Sequence, residues 1–188
     1  MTSDAQSRRP SPGRGTVLAV VAAALVVVAL VVLLDFRRAG EAPPADAGRQ
    51  ADVAERGREV MPFDLERSTH RFSKTGTGGR QTVTVDEPVD QRQVGLVREH
   101  LRAEAERFRR GDFADPARIH GAEMPGLAEL RAGAARIRID YRELPDGAQL
   151  DYLTAEPALL SALHAWFDAQ VSDHGRHAEH GEPTTPVG

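Results

Sequence analysis

Apolar and polar positions follow a regular order in the first half of the region that begins at Met61. Residues 70–75 and 80–85 alternate around a glycine-rich turn at 76–79, which predicts a β-hairpin. A Glu-Pro pair at 87–88 ends the second strand, and residues 90–110 then change to helical spacing. The apolar stripe of this predicted helix is Val94, Val97, Leu101, Ala105 and Phe108.

The second half repeats this order. Residues 136–141 alternate, a Leu-Pro-Asp-Gly turn follows at 144–147, and residues 149–154 predict the returning strand. After Pro157, residues 158–171 have helical spacing, with Leu160, Leu163, Phe167 and Val171 expected on the buried face. The pattern therefore predicts an α+β domain over residues 61–173, built from two ββα units. We expect a four-stranded antiparallel sheet with both helices on one face.

Outside this domain the patterning is different. Residues 16–34 are apolar and uncharged for 19 positions, about the length needed to cross a bilayer, and predict a transmembrane helix after an N-terminal tail at 1–15. A cleaved signal peptide is the alternative. Residues 35–60 are predicted to form a disordered linker, and residues 174–188 a disordered tail that contains histidines. The short leading tail favours a single-pass protein with its domain outside the cell, although arginines flank both sides of the apolar run.

Composition and charge argue against several classes of function. The chain contains no cysteine, so it has neither a disulfide nor a thiolate nucleophile, and its net charge of −4 gives no basis for binding nucleic acid. No nucleophile with an orienting base is apparent, and catalysis is not expected. A binding function is therefore expected.

Histidines are the candidate ligands. His164 falls on the predicted buried face of the second helix, His100 flanks the stripe of the first, and His120 lies in the connector with Met124 four residues later. Imidazole and thioether groups bind transition metals, so these four residues form a candidate site for copper, zinc or haem iron.

A structural interpretation of the same residues stays open. His164 would then be a core histidine bonded to a backbone carbonyl or to Asp168, His120 would end a short helix, and Met124 would pack against the sheet. The spacing matches no closed metal motif. The tail residues His174, His177 and His180 chelate metal incidentally on this interpretation.

Several stretches carry a resemblance to a known family: MPFDLERSTHRFSKTGTGGRQTV, HGAEMPGLAELRAGA, LPDGAQLDY and ALHAWFDAQVSDHG. They resemble a family of small bacterial proteins of unestablished function, sometimes labelled aspartate carbamoyltransferase. The resemblance covers residues 61 to about 177 and implies a common fold unit without assigned catalytic residues. Family members begin near Met61, so the preceding residues are either a fused anchor or an extended reading frame. The chain contains no Ser-Thr-Arg-Thr phosphate loop, and carbamoyl transfer is not expected.

Two functions are consistent with these observations. The first is a membrane-anchored module that binds or senses a ligand, with histidines holding a metal or haem. The second is an interaction domain that binds a protein partner at the membrane surface, for which a contiguous apolar patch on the open sheet face would be evidence.

Overall fold

The computed structural model of the chain describes residues 45–182. The helices are α1 (Ala45–Val60), α2 (Gln91–Arg109), α3 (Ala114–His120), α4 (Leu127–Gly133) and α5 (Pro157–His174). The strands are β1 (Ser68–Thr75), β2 (Gly78–Val85), β3 (Arg138–Leu144), β4 (Gly147–Leu153) and β5 (Ala178–His180). Three short 3₁₀ turns precede β1, β3 and β5. The α+β class predicted from the sequence is therefore confirmed.

The sheet has five strands in the order β3-β4-β2-β1-β5. Both predicted hairpins are present, because β1 pairs antiparallel with β2 and β3 with β4, and each hairpin closes through a two-residue turn. The two hairpins meet where β2 pairs antiparallel with β4. This central arrangement agrees with the four-stranded antiparallel sheet expected from the two ββα units.

The fifth strand corrects that expectation. β5 runs parallel to β1, with His70 opposite Ala178 and Phe72 opposite His180, so the sheet is mixed. The predicted disordered tail at 174–188 is thus wrong for residues 174–182, and residues 183–188 lie outside the described part. Three residues are too few to show strand alternation in a sequence, which explains why the pattern did not reveal β5.

Both long helices pack on one face of the sheet, as predicted. The stripe of α2 is fully buried, with Val94, Val97, Leu101 and Ala105 at 0% exposure, and Asp90 caps the helix through the backbone N–H of Gln93. The buried face of α5 differs from the prediction. Its buried apolar residues are Leu159, Ala162, Leu163, Trp166 and Phe167, while Leu160 and Val171 are only half-buried.

Aromatic rings fill the space between the helices and the sheet. Phe108 stacks on Phe113 with ring centroids 4.5 Å apart, and the edge of Trp166 meets both rings at 6.1 Å. Tyr152 of β4 and Phe167 of α5 continue this cluster, with centroids 5.7 Å apart. Such edge-to-face pairs add to the burial energy and fix α5 on the sheet.

The predicted disordered linker at 35–60 is wrong for residues 45–60, which form α1. Its one fully buried apolar side chain is Val53, and polar contacts supply much of the remaining attachment. Arg49 donates to the carbonyl of His120, and Arg56 donates to the carbonyl of Ile119. Both carbonyls lie at the C-terminal end of α3, where the helix itself supplies no backbone donor. A helix held by arginines has little apolar periodicity, so its sequence resembles a linker.

The predicted transmembrane helix at 16–34 and the tail at 1–15 lie outside the described residues. Within residues 45–182, no helix combines the length and apolar character needed to cross a bilayer.

Candidate functional site

A small cavity lies between α2, α3, the C-terminal end of α5 and the sheet. Its volume is about 30 Å³, enough for one water molecule or one ion. Four histidines line it, one from each surrounding element: His70 of β1, His100 of α2, His120 of α3 and His174 of α5. The other lining residues are Glu104, Gln81, Gln170, Met61, Phe72, Leu101, Pro116 and Ile119.

The imidazole rings are close to one another. His174 stacks on His70 with ring centroids 5.1 Å apart and planes 8° apart, and it meets His120 edge-on at 4.9 Å. His100 lies on the other side of Phe63, whose ring centroid is 5.5 Å from that of His100 and 5.9 Å from that of His70. His70, His120 and His174 are therefore linked by direct ring contacts, and Phe63 contacts both His70 and His100; we call the four histidines that line the cavity the histidine cluster (His70, His100, His120, His174).

His120 is held by a carboxylate. Its Nδ1 lies 2.9 Å from Oδ2 of Asp173, and Arg49 donates to both oxygens of the same carboxylate. Burial opposes the charge of Asp173, but the bonds from His120 and Arg49 outweigh it and lower the pKa of Asp173 to about 2. Asp173 is therefore an acceptor, and Nδ1 of His120 donates to it.

His100 is paired with Glu104, one helical turn further along α2. The two groups are 3.5 Å apart between Nε2 and Oε1, and both side chains are buried. Burial opposes charge on each group, yet their mutual attraction raises the pKa of His100 and lowers the pKa of Glu104. The pair is a buried ion pair, an arrangement that stability alone rarely favours.

His70 and His174 have the opposite character. Burial is the main cause that lowers the pKa of His70 to about 4 and the pKa of His174 well below its usual value; neighbouring imidazoles act in the same direction, and the carboxylates of Glu104 and Asp173 oppose them. Both rings are therefore neutral at pH 7. Nδ1 of His70 and Oε1 of Gln170, which belong to two residues that line the cavity, are buried without a hydrogen-bond partner.

The structure divides the predicted site His100, His120, His164 and Met124. It brings His100 and His120 to the same cavity, but His164 lies ten residues before His174 on α5, about 15 Å along the helix. Nε2 of His164 donates to the carbonyl of Gly78 at 2.8 Å, in agreement with the structural interpretation of this residue. Met124 is buried but does not line the cavity.

α3 ends before Met124. Gly121, with φ of +98°, terminates α3, so Met124 does not follow His120 by one helical turn.

Two members of the cluster were missed in the sequence. His70 lies two residues before the buried Phe72 in β1, so both side chains point to the same face of the sheet. The sequence therefore indicated a buried His70, because the helices were predicted to cover that face. His174 follows Gln170 by four residues and Phe167 by seven, so the helical period of α5 extends to it. Assigning His174 to a disordered tail concealed this.

No family model matches the chain, and no curated protein or solved structure resembles it significantly.

Proposed function

We propose that this protein is a membrane-attached module that binds a single transition-metal ion in the histidine cluster. The observation that supports the proposal is the convergence of four imidazoles, from four different elements, on one small cavity. Segment 16–34 would provide the attachment and place the domain outside the cell. We also retain the resemblance to the family of small bacterial proteins as a proposal, and it assigns no reaction to this chain.

The size of the cavity favours an ion over a larger ligand. Pockets for organic ligands usually measure at least about 300 Å³, ten times the volume found here. A porphyrin does not fit without displacing the surrounding core, so a metal ion is preferred over haem. Imidazole nitrogens are suited to zinc, copper, nickel and iron.

The protonation states of His70 and His174 also favour a metal, whereas His100 would first have to release the proton that it shares with Glu104. A histidine binds a metal only through a deprotonated nitrogen, and burial keeps His70 and His174 neutral because it lowers the pKa of each. Metal-binding histidines usually donate their second nitrogen to a carboxylate, which fixes the ring, and His120 does so to Asp173. Glu104 supplies a buried negative charge beside the cavity.

Binding requires the rings to turn. In residues 45–182, no three histidine, aspartate or glutamate side chains are arranged to hold an ion as they stand. The stacked His70 and His174 rings present faces rather than nitrogens to each other. Rotation of His174 would break this stack and direct a nitrogen into the cavity, so metal binding is expected to change the environment of both rings.

The test is metal titration of the full chain in detergent, with bound Zn²⁺ and Cu²⁺ measured by elemental analysis and calorimetry. We expect one ion per chain, lost in His174→Ala and retained in His164→Ala, which alters a histidine of the same helix outside the cavity. A His177→Ala/His180→Ala variant controls for chelation at the C-terminal end and should still bind. An empty wild-type protein, or equal loss in the two single variants, would contradict the proposal.

The interaction-domain alternative has less support. The open sheet face carries Arg71, Arg80, Thr82 and Asp151, and several of these charges pair with each other or with Glu179. Val89 is the one large hydrophobic side chain that is exposed within residues 45–182. An apolar docking patch for a protein partner is therefore not visible in this part of the chain.

A further inference from the structure

β3 forms an uncovered edge of the sheet. The strand order leaves one side of β3 without a neighbouring strand within residues 45–182, whereas β5 covers the opposite edge. Leu144 and Gly147 face each other across the two-residue turn of the hairpin and form its first hydrogen-bonded pair. Hydrogen-bonded pairs alternate along an antiparallel ladder, so the odd-numbered residues of β3 direct their backbone N–H and C=O groups away from β4. These residues are Ile139, Tyr141 and Glu143.

The edge lacks the backbone features that usually prevent a strand from pairing with another chain. Native edge strands are blunted by proline, a bulge, very short length or charged side chains. β3 runs for seven residues without proline, and its ladder with β4 contains no bulge. Arg109 bonds to the carbonyl of Ile139, which has a second lone pair left for another donor. Charged side chains are therefore the one device that β3 carries.

The charges of β3 have both signs and alternate along the open face of the sheet. Asp140 is paired in register with Asp151 of β4, and Arg142 lies 3.7 Å from the same carboxylate, so both side chains are on this face. Their exposed fractions are 50% for Asp140 and 60% for Arg142. Arg138, two residues earlier, bonds to Asp140 at 2.8 Å. An edge with charges of one sign would repel a second copy of itself, whereas an alternating edge can complement it.

Charge selects one register for two β3 strands in antiparallel contact. Only the outward-facing odd residues can exchange hydrogen bonds, so the even residues face each other at the intervening positions, where side chains are closest. A pair centred on Tyr141 places Asp140 of each copy opposite Arg142 of the other. A pair centred on residue 140 would place two aspartates face to face, and one centred on residue 142 would do the same with two arginines. Opposite charges stabilise such cross-strand contacts, and like charges destabilise them.

We infer that β3 is a self-association edge, through which two copies of this chain pair antiparallel about Tyr141 and join their sheets. The two-fold axis generates the Asp140–Arg142 ion pair twice, once on each side of Tyr141. Main-chain hydrogen bonds supply attraction in strand addition, so this contact needs no apolar patch on the open face. The inference goes beyond the proposed metal-binding function and does not depend on it, because β3 contributes no residue to the histidine cavity.

The test is the dimer dissociation constant of the full chain in detergent, measured by sedimentation equilibrium at matched detergent density. We expect wild type to dimerise, and Asp140→Arg and Arg142→Asp each to raise the Kd by about tenfold or more, because each reversal replaces two ion pairs by two like-charge contacts. The double variant Asp140→Arg/Arg142→Asp restores opposite charges and should return the Kd to within about threefold of wild type. Added salt should weaken the wild-type dimer.

Arg138→Asp is the matched control. It reverses an exposed arginine of the same strand and face, but in this register position 138 faces Leu144 of the second copy. Its Kd should therefore stay within about threefold of wild type. A monomeric wild type overturns the inference. A dimer that is insensitive to both reversals forms through another surface and also overturns it. Equal weakening by Arg138→Asp, or no recovery in the double variant, overturns the proposed register.

Discussion

Acidification is expected to destabilise this domain through His70, whose ring is buried among other titratable groups. The ring faces Glu104, whose charge favours the protonated form, and His100 and His177, whose charges oppose it. Burial is the largest effect and lowers the pKa of His70 from 6.5 to about 4. The unfolded chain therefore takes up a proton on His70 at a higher pH than the folded protein does.

The sign and size of the effect follow from this difference. A lowered folded-state pKa contributes stability above the unfolded value of 6.5, and that contribution is lost as the pH falls toward 4. Between pH 7.5 and pH 5 the loss amounts to about 2 kcal/mol from His70 alone. His174 acts in the same direction, since burial also lowers its pKa, whereas the raised pKa of His100 acts in the opposite direction.

The assay is urea unfolding of the full chain at both pH values, monitored by Trp166, the one tryptophan of the chain, which is buried in the core. His70→Gln removes the titrating ring, and the loss of stability between pH 7.5 and 5 should shrink by about 2 kcal/mol. His164→Gln is the control, because His164 is only half-buried, and it should keep the full pH dependence. If His70→Gln shows the same pH dependence as wild type, the burial argument for His70 fails.

Two further predictions concern segments assigned to a linker and a tail. Arg49→Ala should lower the free energy of unfolding by about 2 kcal/mol, because it removes two charged hydrogen bonds to the buried Asp173. Arg49→Lys should restore only part of this loss. Equal stability of wild type and Arg49→Ala in the same urea assay would refute the prediction. A fragment limited to residues 61–173 lacks α1, His174 and β5, and we expect it to show no cooperative unfolding transition. A fragment of residues 44–188 contains these elements and should unfold cooperatively. A cooperative transition in the shorter fragment would show that α1 and β5 are dispensable.

The central elements were predictable because each buries a face with a clear period. The strand alternation around both hairpins and the stripe of α2 are direct consequences of packing helices on one face of a sheet. Glu-Pro pairs before both long helices marked their beginnings, and Pro157 indeed lies in the first turn of α5. For these parts of the chain, local pattern and tertiary burial agree.

The histidine cluster was only half predictable, since it depends on contacts between residues distant in the chain. His120 was identified, but its partner Asp173 is 53 residues away and its second partner Arg49 lies in a segment without apolar periodicity. His164 was chosen from a helix face whose phase was misjudged by one position, as the half-buried Leu160 and buried Leu159 demonstrate. Pattern alone cannot report which histidines from separate elements meet.

The position of β5 has a consequence for the synthesis of this protein. β5 covers the edge of β1 that carries His70, and His174 lies only four residues before it, so the cavity is bounded by residues that are synthesised after the hairpins and α2. Because chains are made from the N-terminus at roughly 5–20 residues per second, the hairpins and α2 have time to associate before the wall of the cavity exists. A ligand would therefore meet a complete cavity only after His174 and β5 have been synthesised, and products terminated before His174 would lack one of its four histidines.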